Sequence, residues 1–236
     1  MSGTTPVGAA GEQEAARWVR AMFGRVARRY DLANHLLSCN IDRYWRARTV
    51  RRVRHILERP EARVLDICCG TGDLMLALGA SRAYGSDFCH PMLTAARRKG
   101  ACRLFEADAL QLPLPHASFD RGTVAFGVRN LANYEKGLAE MRRILRPGGA
   151  AAILEFSQPP NPLFAAIYNF YSRRILPLIG GVLSGSRDAY AYLPESVRKF
   201  PSTEALAQMM RESGFENVQY ETLTLGIAAL HVALVP

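Results

Sequence analysis

Val64-Leu65-Asp66-Ile67-Cys68-Cys69-Gly70-Thr71-Gly72-Asp73 joins three local patterns. The first four residues are an apolar run with one carboxylate, which reads as a buried strand. Small residues follow, and Asp73 opens a helical pattern that runs to Leu78. Glycine at 70 and 72 lets the backbone turn with positive φ and approach a ligand closely. The helix start offers free N–H groups and a positive dipole end. Dinucleotide enzymes use this geometry with a third glycine, G-x-G-x-x-G, to seat a pyrophosphate. Here the third position is not glycine, and Asp66 at the strand end would repel phosphates. A carboxylate there suits a cofactor carrying an amino group and a sulfonium. The pattern favours S-adenosylmethionine over NAD.

The downstream sequence extends the pattern. Residues 83–88 read as a second strand with Asp87 near its end, where a carboxylate can accept both ribose hydroxyls. Phe88 follows it. Residues 102–107 read as a third strand, followed by Asp108 and Ala109, in position for an adenine amino group. Residues 119–126 read as a fourth strand with Ala125 near its end, and residues 150–156 as a fifth. Helical patterns at 91–99 and 134–145 alternate with them, the second ended by Pro147-Gly148-Gly149. One acid at a strand end is usually a turn residue or a cap. Three at successive strand ends beside a glycine turn read as a site. The alternation predicts an α/β fold, a parallel sheet covered on both faces. Residues 203–213 read as a helix capped by Ser202 and stopped by Gly214. Two last strands, 218–225 and 228–235, turn at Gly226 and add an antiparallel edge.

Upstream, residues 14–60 read as a cap of basic amphipathic helices, and residues 1–13 as a disordered tail. The tail lacks the basic and apolar regions of a signal peptide. Residues 163–183 form an aromatic helical segment and 184–200 a loop, so 163–200 reads as an insertion in a domain spanning 61–236. No run is long and apolar enough to span a membrane. The five cysteines are odd in number, with no C-x-x-C, which fits a reducing cytoplasm. The histidines share no ligand spacing, so no metal is expected. Net charge is +9, with arginine concentrated in residues 17–59. Nucleic acid, an anionic membrane, an acidic substrate and a merely solvated basic face all fit that charge. No N/D-P-P-Y/F tetrapeptide follows the fourth strand and no RNA-binding module is appended, which argues against nucleic acid.

Beyond the cofactor turn, residues 23–31 (FGRVARRYD), 126–130 (FGVRN), 154–157 with Pro159 (LEFSxP), 190–200 (YAYLPESVRKF) and 223–231 (LTLGIAALH) resemble the ubiquinone/menaquinone biosynthesis C-methyltransferases. The resemblance runs from about Met22 to the C-terminus. It implies a Rossmann-like seven-stranded methyltransferase sheet, mostly parallel with the last strand antiparallel. It implies methyl transfer from S-adenosylmethionine to a ring carbon of a prenylated quinol. Thr71, Asp87, Asp108 and Ala109 would contact the cofactor, with Asp66, Gly70, Gly72, Phe88 and Ala125 beside them. Many members carry serine at the position of Ala125, and general methyltransferases often carry glycine at that of Cys68.

Arg129, Asn130 and Tyr30 are the expected catalytic residues. Arg129 would stabilise a developing phenolate, or else pair with a nearby carboxylate. Asn130 would orient a ring oxygen, or cap a helix. Tyr30, with Asp31, would reach over the site from the cap, or pack as a core aromatic. His231 would face the cleft, or serve packing. The aromatic segment 163–183 would line a tunnel for the prenyl tail, dock on a peripheral membrane surface, or form a homodimer contact. A cofactor-binding assembly protein without catalysis is the remaining reading.

Overall fold

The computed structural model describes residues 3–6, 8–57, 61–79, 83–178 and 187–236. Five strands pair in parallel: β1 (Val64–Ile67), β2 (Ala83–Asp87), β3 (Leu104–Glu106), β4 (Phe119–Ala125) and β5 (Leu145–Phe156). A hairpin of β6 (Glu216–Leu223) and β7 (Ala228–Leu234) completes the sheet, with β7 antiparallel to both neighbours. The order is β3-β2-β1-β4-β5-β7-β6 among the described residues. Strand order reverses between β1 and β4, so the crevice at their carboxyl ends is the natural ligand site. Asp66 and Ala125 stand at that crevice.

Helices cover both faces, as the alternating pattern requires. On one face α6 (Tyr134–Ile144) and α9 (Thr203–Glu212) bury Leu138, Met141, Leu206 and Met210 against the sheet. On the other, α3 (Ile41–Leu57), α4 (Asp73–Gly79) and α5 (His90–Arg98) bury Trp45, Leu74, Met75 and Ala96. Trp45 anchors the N-terminal cap. Its ring packs on Phe126 and Phe156, and its indole N–H donates to Thr224 Oγ1 at 2.8 Å. Arg48 adds a two-pronged pair to Glu221 on β6. The remaining cap helices are α1 (Glu12–Val26), which buries Ala15, Val19, Met22 and Val26, and α2 (Tyr30–Leu37).

Several elements depart from the sequence expectations. The segment 184–200 reads as a loop, yet residues 187–199 form helix α8 (Arg187–Lys199) with Pro194 inside it. Burial of Tyr190, Tyr192 and Val197 on its inner side outweighs the proline's helix-breaking tendency. The aromatic segment is helical throughout its described part, but α7 (Pro162–Phe170) widens into a π-helical turn at Tyr171–Ile175; residues 179–186 lie outside the described set. Strand β5 begins at Leu145, five residues early, because the Pro147-Gly148-Gly149 stretch stays within the strand beside a register shift at Phe119/Arg121.

Of the expected N-terminal tail, residues 3–6 are placed: Thr4 N–H donates to the Leu131 carbonyl, and the Thr4 side chain is buried against Tyr192.

Candidate active site

A cavity of about 640 Å³ lies over the carboxyl ends of β1, β2 and β4, roofed by α1–α3, α7 and α8. Of the residues expected at the cofactor, Asp66, Gly70, Thr71, Asp87, Phe88, Asp108, Ala109 and Ala125 line it. Gly72 does not. It stands behind the turn with φ +83°, where a Cβ would lie 3.1 Å from Ala96 Cβ, so its lack of a side chain serves helix packing.

The turn after β1 contains a left-handed non-glycine, Cys68, at φ +54°. The turn after β4 contains another, Phe126, at φ +59°. The two turns face each other. A Cβ on Gly127 would lie 2.5 Å from Cys68 Cβ. Gly127 therefore makes room for the side chain that replaces the usual glycine at 68.

Carboxylates dominate the sheet side. Asp66 is 1% exposed and accepts a hydrogen bond from Thr123 Oγ1 at 2.7 Å. Burial pushes its pKa up to about 7. Asp87 accepts the Gly70 and Cys89 N–H groups, each at 2.9 Å, and burial pushes its pKa up to about 6. Each oxygen that accepts one bond retains a second lone pair. Two buried acids whose charge is held back by desolvation fit a cationic, hydroxyl-bearing ligand, which relieves that penalty. Asp108 is exposed and turns its carboxylate to the Leu110 N–H, while Ala109 is buried beside it. The Thr71 hydroxyl donates to Asp31 of α2, and Lys99 bridges Asp31 and Asp73. Asp31 therefore ties the cap to the cofactor turn.

The opposite side centres on Arg129, in a short 3₁₀ turn at Val128–Asn130. It is buried at 4% exposure rather than open at the mouth. Its Nη1 donates to Glu155 Oε1 at 2.8 Å and to the Phe126 carbonyl, and its guanidinium lies over the Phe156 ring. Glu155 also accepts the Arg129 backbone N–H at 3.2 Å and that of Phe156 at 2.9 Å. Burial lowers the Arg129 pKa, but Glu155 and nearby tyrosines more than offset that and leave it raised. Its buried Nε has no hydrogen-bond partner.

Asn130 donates to the Phe126 carbonyl and accepts from the Tyr192 hydroxyl at 3.1 Å. It is not the cap of α6; Asn133 is, accepting the Lys136 N–H. Tyr30 lines the cavity, its ring edge-on to Phe23. His231 lies outside the cavity lining, on β7 against α9, where its Nε2 meets the Thr203 carbonyl at 2.9 Å and burial lowers its pKa.

Sequence reasoning assigned no individual role to Glu155, Tyr192 or Arg46, which the structure brings to this region together with Tyr168 of the aromatic segment expected to line a tunnel. Glu155 carried a signal, a lone acid in the apolar strand Ala-Ala-Ile-Leu-Glu-Phe. Tyr192 carried only its place in the family-like stretch 190–200, since its segment read as a loop.

An open mostly parallel sheet with one reversed strand, a glycine turn and acids at its strand ends defines a Rossmann-like methyltransferase. The model of the ubiE/COQ5 methyltransferase family matches residues 9–235, and the chain belongs to that family. It is an S-adenosylmethionine-dependent C-methyltransferase. It is 49% identical to demethylmenaquinone methyltransferase of Thermus thermophilus over 220 residues, 89% of this chain and 98% of that one. It is 41% identical to the ubiquinone/menaquinone biosynthesis C-methyltransferase UbiE of Paracoccus denitrificans, covering 93% and 91%. Among solved structures, a Thermotoga maritima methyltransferase superposes with TM-score 0.66 at 20% identity, covering 92% of this chain and 100% of that one. The [4+2]-cyclase SpnF superposes at 0.58 with 18% identity, covering 80% and 81%. The fold thus hosts other chemistry, and the reaction must be argued from the site.

Proposed function

We propose that this methyltransferase alkylates a ring carbon of a polyprenylated quinol, with demethylmenaquinol as the first candidate. The relatives' names supply the substrate class. One observation carries the reading, the set of phenols around Arg129. Burial pushes Tyr30, Tyr168 and Tyr192 up, Tyr168 to about 12, and the Arg129 guanidinium pulls each of them back down. A quinol hydroxyl in the same cavity is another phenol in the same field.

When bound, S-adenosylmethionine supplies an electrophilic methyl carbon on a sulfonium. The residues of the chain do the rest. Arg129, held by Glu155, stabilises the phenolate whose charge spreads to the ring carbon that is methylated. Asn130 orients the ring oxygen, and Tyr30 closes over the ring from the cap. Arginine stays protonated, so a water that Arg129 holds takes the phenolic proton before attack. After methyl transfer the ring proton leaves to water as the ring regains aromaticity and the oxygen is reprotonated, so one proton is released overall. Phe126 and Phe156 exclude bulk solvent. Asp66, Asp87, Asp108, Ala109 and the Gly70-Thr71 turn hold the cofactor.

The test offers labelled S-adenosylmethionine with reduced demethylmenaquinone or a reduced demethoxy-ubiquinone precursor, to the protein and to Arg129→Lys. Lysine keeps a partner for Glu155 but loses the fork. Product from either quinol, with kcat lower by about 10²-fold or more in the variant and unchanged cofactor affinity, is expected. Cofactor binding with no product from either quinol would overturn the quinol reading, in favour of another methyl acceptor or a non-catalytic role.

A peripheral membrane contact extends this reading. Among the described residues no helix is long and apolar enough to cross a membrane. Leu163, Ile167 and Phe170 form an exposed apolar stripe on α7, followed by exposed Arg173 and Arg174. Apolar and basic groups together suit an anionic bilayer surface. Co-sedimentation with phosphatidylglycerol vesicles, weakened by salt and absent with phosphatidylcholine, is the expected result.

A further inference from the structure

Residues 3–6 precede α1 and lie outside the stretch 9–235 shared with the family model, yet they are built into the wall of the site. They join α8 to residues 131–132, which follow the 3₁₀ turn of Arg129 and Asn130. The Thr4 N–H donates to the Leu131 carbonyl at 2.8 Å. A Cβ on Gly3 would lie 2.0 Å from the Ala132 carbonyl oxygen, so only glycine lets the backbone come this close. Lys199 of α8 donates to the Thr5 carbonyl at 3.1 Å. The Thr4 side chain, 6% exposed, meets the Tyr192 hydroxyl at 2.7 Å. Asn130, Leu131, Ala132 and Tyr192 line the cavity, whereas residues 3–6 do not. The segment braces the wall without touching the space inside.

The side-chain bonds here form a chain with one direction. The Phe126 carbonyl can only accept, so it takes an N–H of the Asn130 amide, at 3.2 Å. That turns Asn130 Oδ1 to the Tyr192 hydroxyl, which donates to it at 3.1 Å. A phenol has one proton, so Thr4 is the donor to Tyr192. The second N–H of Asn130 is left for a ligand oxygen.

We propose that residues 3–6 are a strap that fixes the Asn130 amide in the active site, with Thr4 as a positioning residue acting through Tyr192. The inference rests on the quinol reading above, in which Asn130 orients the ring oxygen. The Thr4 hydroxyl commits the Tyr192 proton to Asn130, and the Thr4 backbone holds the residue after Asn130. Without the Thr4 hydroxyl, the Tyr192 oxygen is buried without a donor. That costs free energy, so the ring shifts to regain one and loosens its hold on Asn130.

The experiment uses the full chain loaded with S-adenosylhomocysteine. Thr4→Val keeps the side chain's shape and loses the hydroxyl, and Thr4→Ser keeps the hydroxyl. The Asn130 side-chain amide is read in nitrogen–proton correlation spectra of isotope-labelled protein. Its signal is identified by its absence in Asn130→Asp. Turnover is measured separately with S-adenosylmethionine and the two quinols named above.

In Thr4→Val the Asn130 amide signal is expected to shift and its hydrogens to exchange faster. The kcat falls about two- to tenfold, with affinity for S-adenosylhomocysteine unchanged. Thr4→Ser restores both the signal and the rate. A merely structural role would not single out this amide or leave cofactor affinity intact. If Thr4→Val leaves the Asn130 amide unmoved, the strap does not position it and the proposal is overturned. If the amide moves and kcat holds, its orientation does not matter to the reaction, and the proposal is equally overturned. If the unaltered chain methylates neither quinol, the quinol reading fails and takes the positioning role with it; a moved amide then shows that the failure is not the strap's.

Discussion

The two sides of the cavity are built differently. The sheet side is assembled from strand-to-turn segments, each continuous in sequence: 64–73 and 83–90, which lead into helices, and 104–109, which does not. Its carboxylates Asp66 and Asp87 are buried, and backbone N–H groups from the same turns hold Asp87. The cap side is assembled from pieces scattered along the chain. Thr4, Tyr30, Tyr168 and Tyr192 meet there around Arg129 and Asn130. On the proposed reading, a cofactor with fixed structure is met by local geometry, and a variable substrate by segments that tertiary packing brings together. The comparison predicts that substitutions on the cap side act mainly through their neighbours, and those on the sheet side through charge.

The largest effect is expected where the two sides join. Glu155→Ala leaves Arg129 buried without its carboxylate, and stability should fall by about 3–5 kcal/mol. Urea denaturation measures it. A loss below about 1 kcal/mol would mean that the pair does not organise the cap side.

The second expectation concerns the sheet side alone. Asp66 and Asp87 are raised in the folded chain, to about 7 and about 6. Groups raised in this way favour folding most at low pH, and that contribution is lost as pH rises from the unfolded value, about 4, through 6–7. Ligand-free protein should therefore lose stability over that range, and Asp66→Asn should flatten the loss. A cationic cofactor favours the ionised acids, so its binding should tighten with pH and release protons near pH 6.5. Titration calorimetry in buffers of different ionisation enthalpy reads that release. Binding without proton release would remove these acids from the cofactor's surroundings.

Tyr192→Phe sharpens the view of the cap side. It removes the hydroxyl shared by Thr4 and Asn130 and should cost about 0.5–1.5 kcal/mol. The Thr4 amide, bonded to the Leu131 carbonyl, should exchange hydrogen faster. Unchanged exchange would show that residues 3–6 are held independently of Asn130.

The smallest effect is expected at Ala125. Ala125→Ser restores a hydroxyl at the cofactor, and affinity for S-adenosylhomocysteine should rise by less than about tenfold. A loss of affinity would mean that the half-buried site has no room or partner for the hydroxyl.

How much was legible follows from the same contrast. The strand ends at Asp66 and Asp87, the glycine turn and the order of strands and helices could all be read, because each depends on neighbours in sequence. The last hairpin was legible too, from its alternating strands and Gly226. Helix α8 was not, because Pro194 and its polar flank read as a loop while burial of its tyrosines decided the outcome. Residues 3–6 were not, because their composition carries no periodicity and only Leu131 and Tyr192 give them a place.

The sequence by itself determined the α/β class, the family, and the strand-end acids and glycine turn that the proposed cofactor site uses, since period, turn chemistry and short motifs are local properties. Tertiary structure alone decided that Glu155 holds Arg129, that Tyr192 holds Asn130, that Asp31 reaches Thr71, and that His231 stays away from the cavity. Those contacts exist because pairing of β4 with β5 brings residues 125 and 154 side by side, and because burial of Trp45 seats the cap on the sheet. No local pattern encodes a contact between residues so far apart; it arises only when the whole core is buried at once.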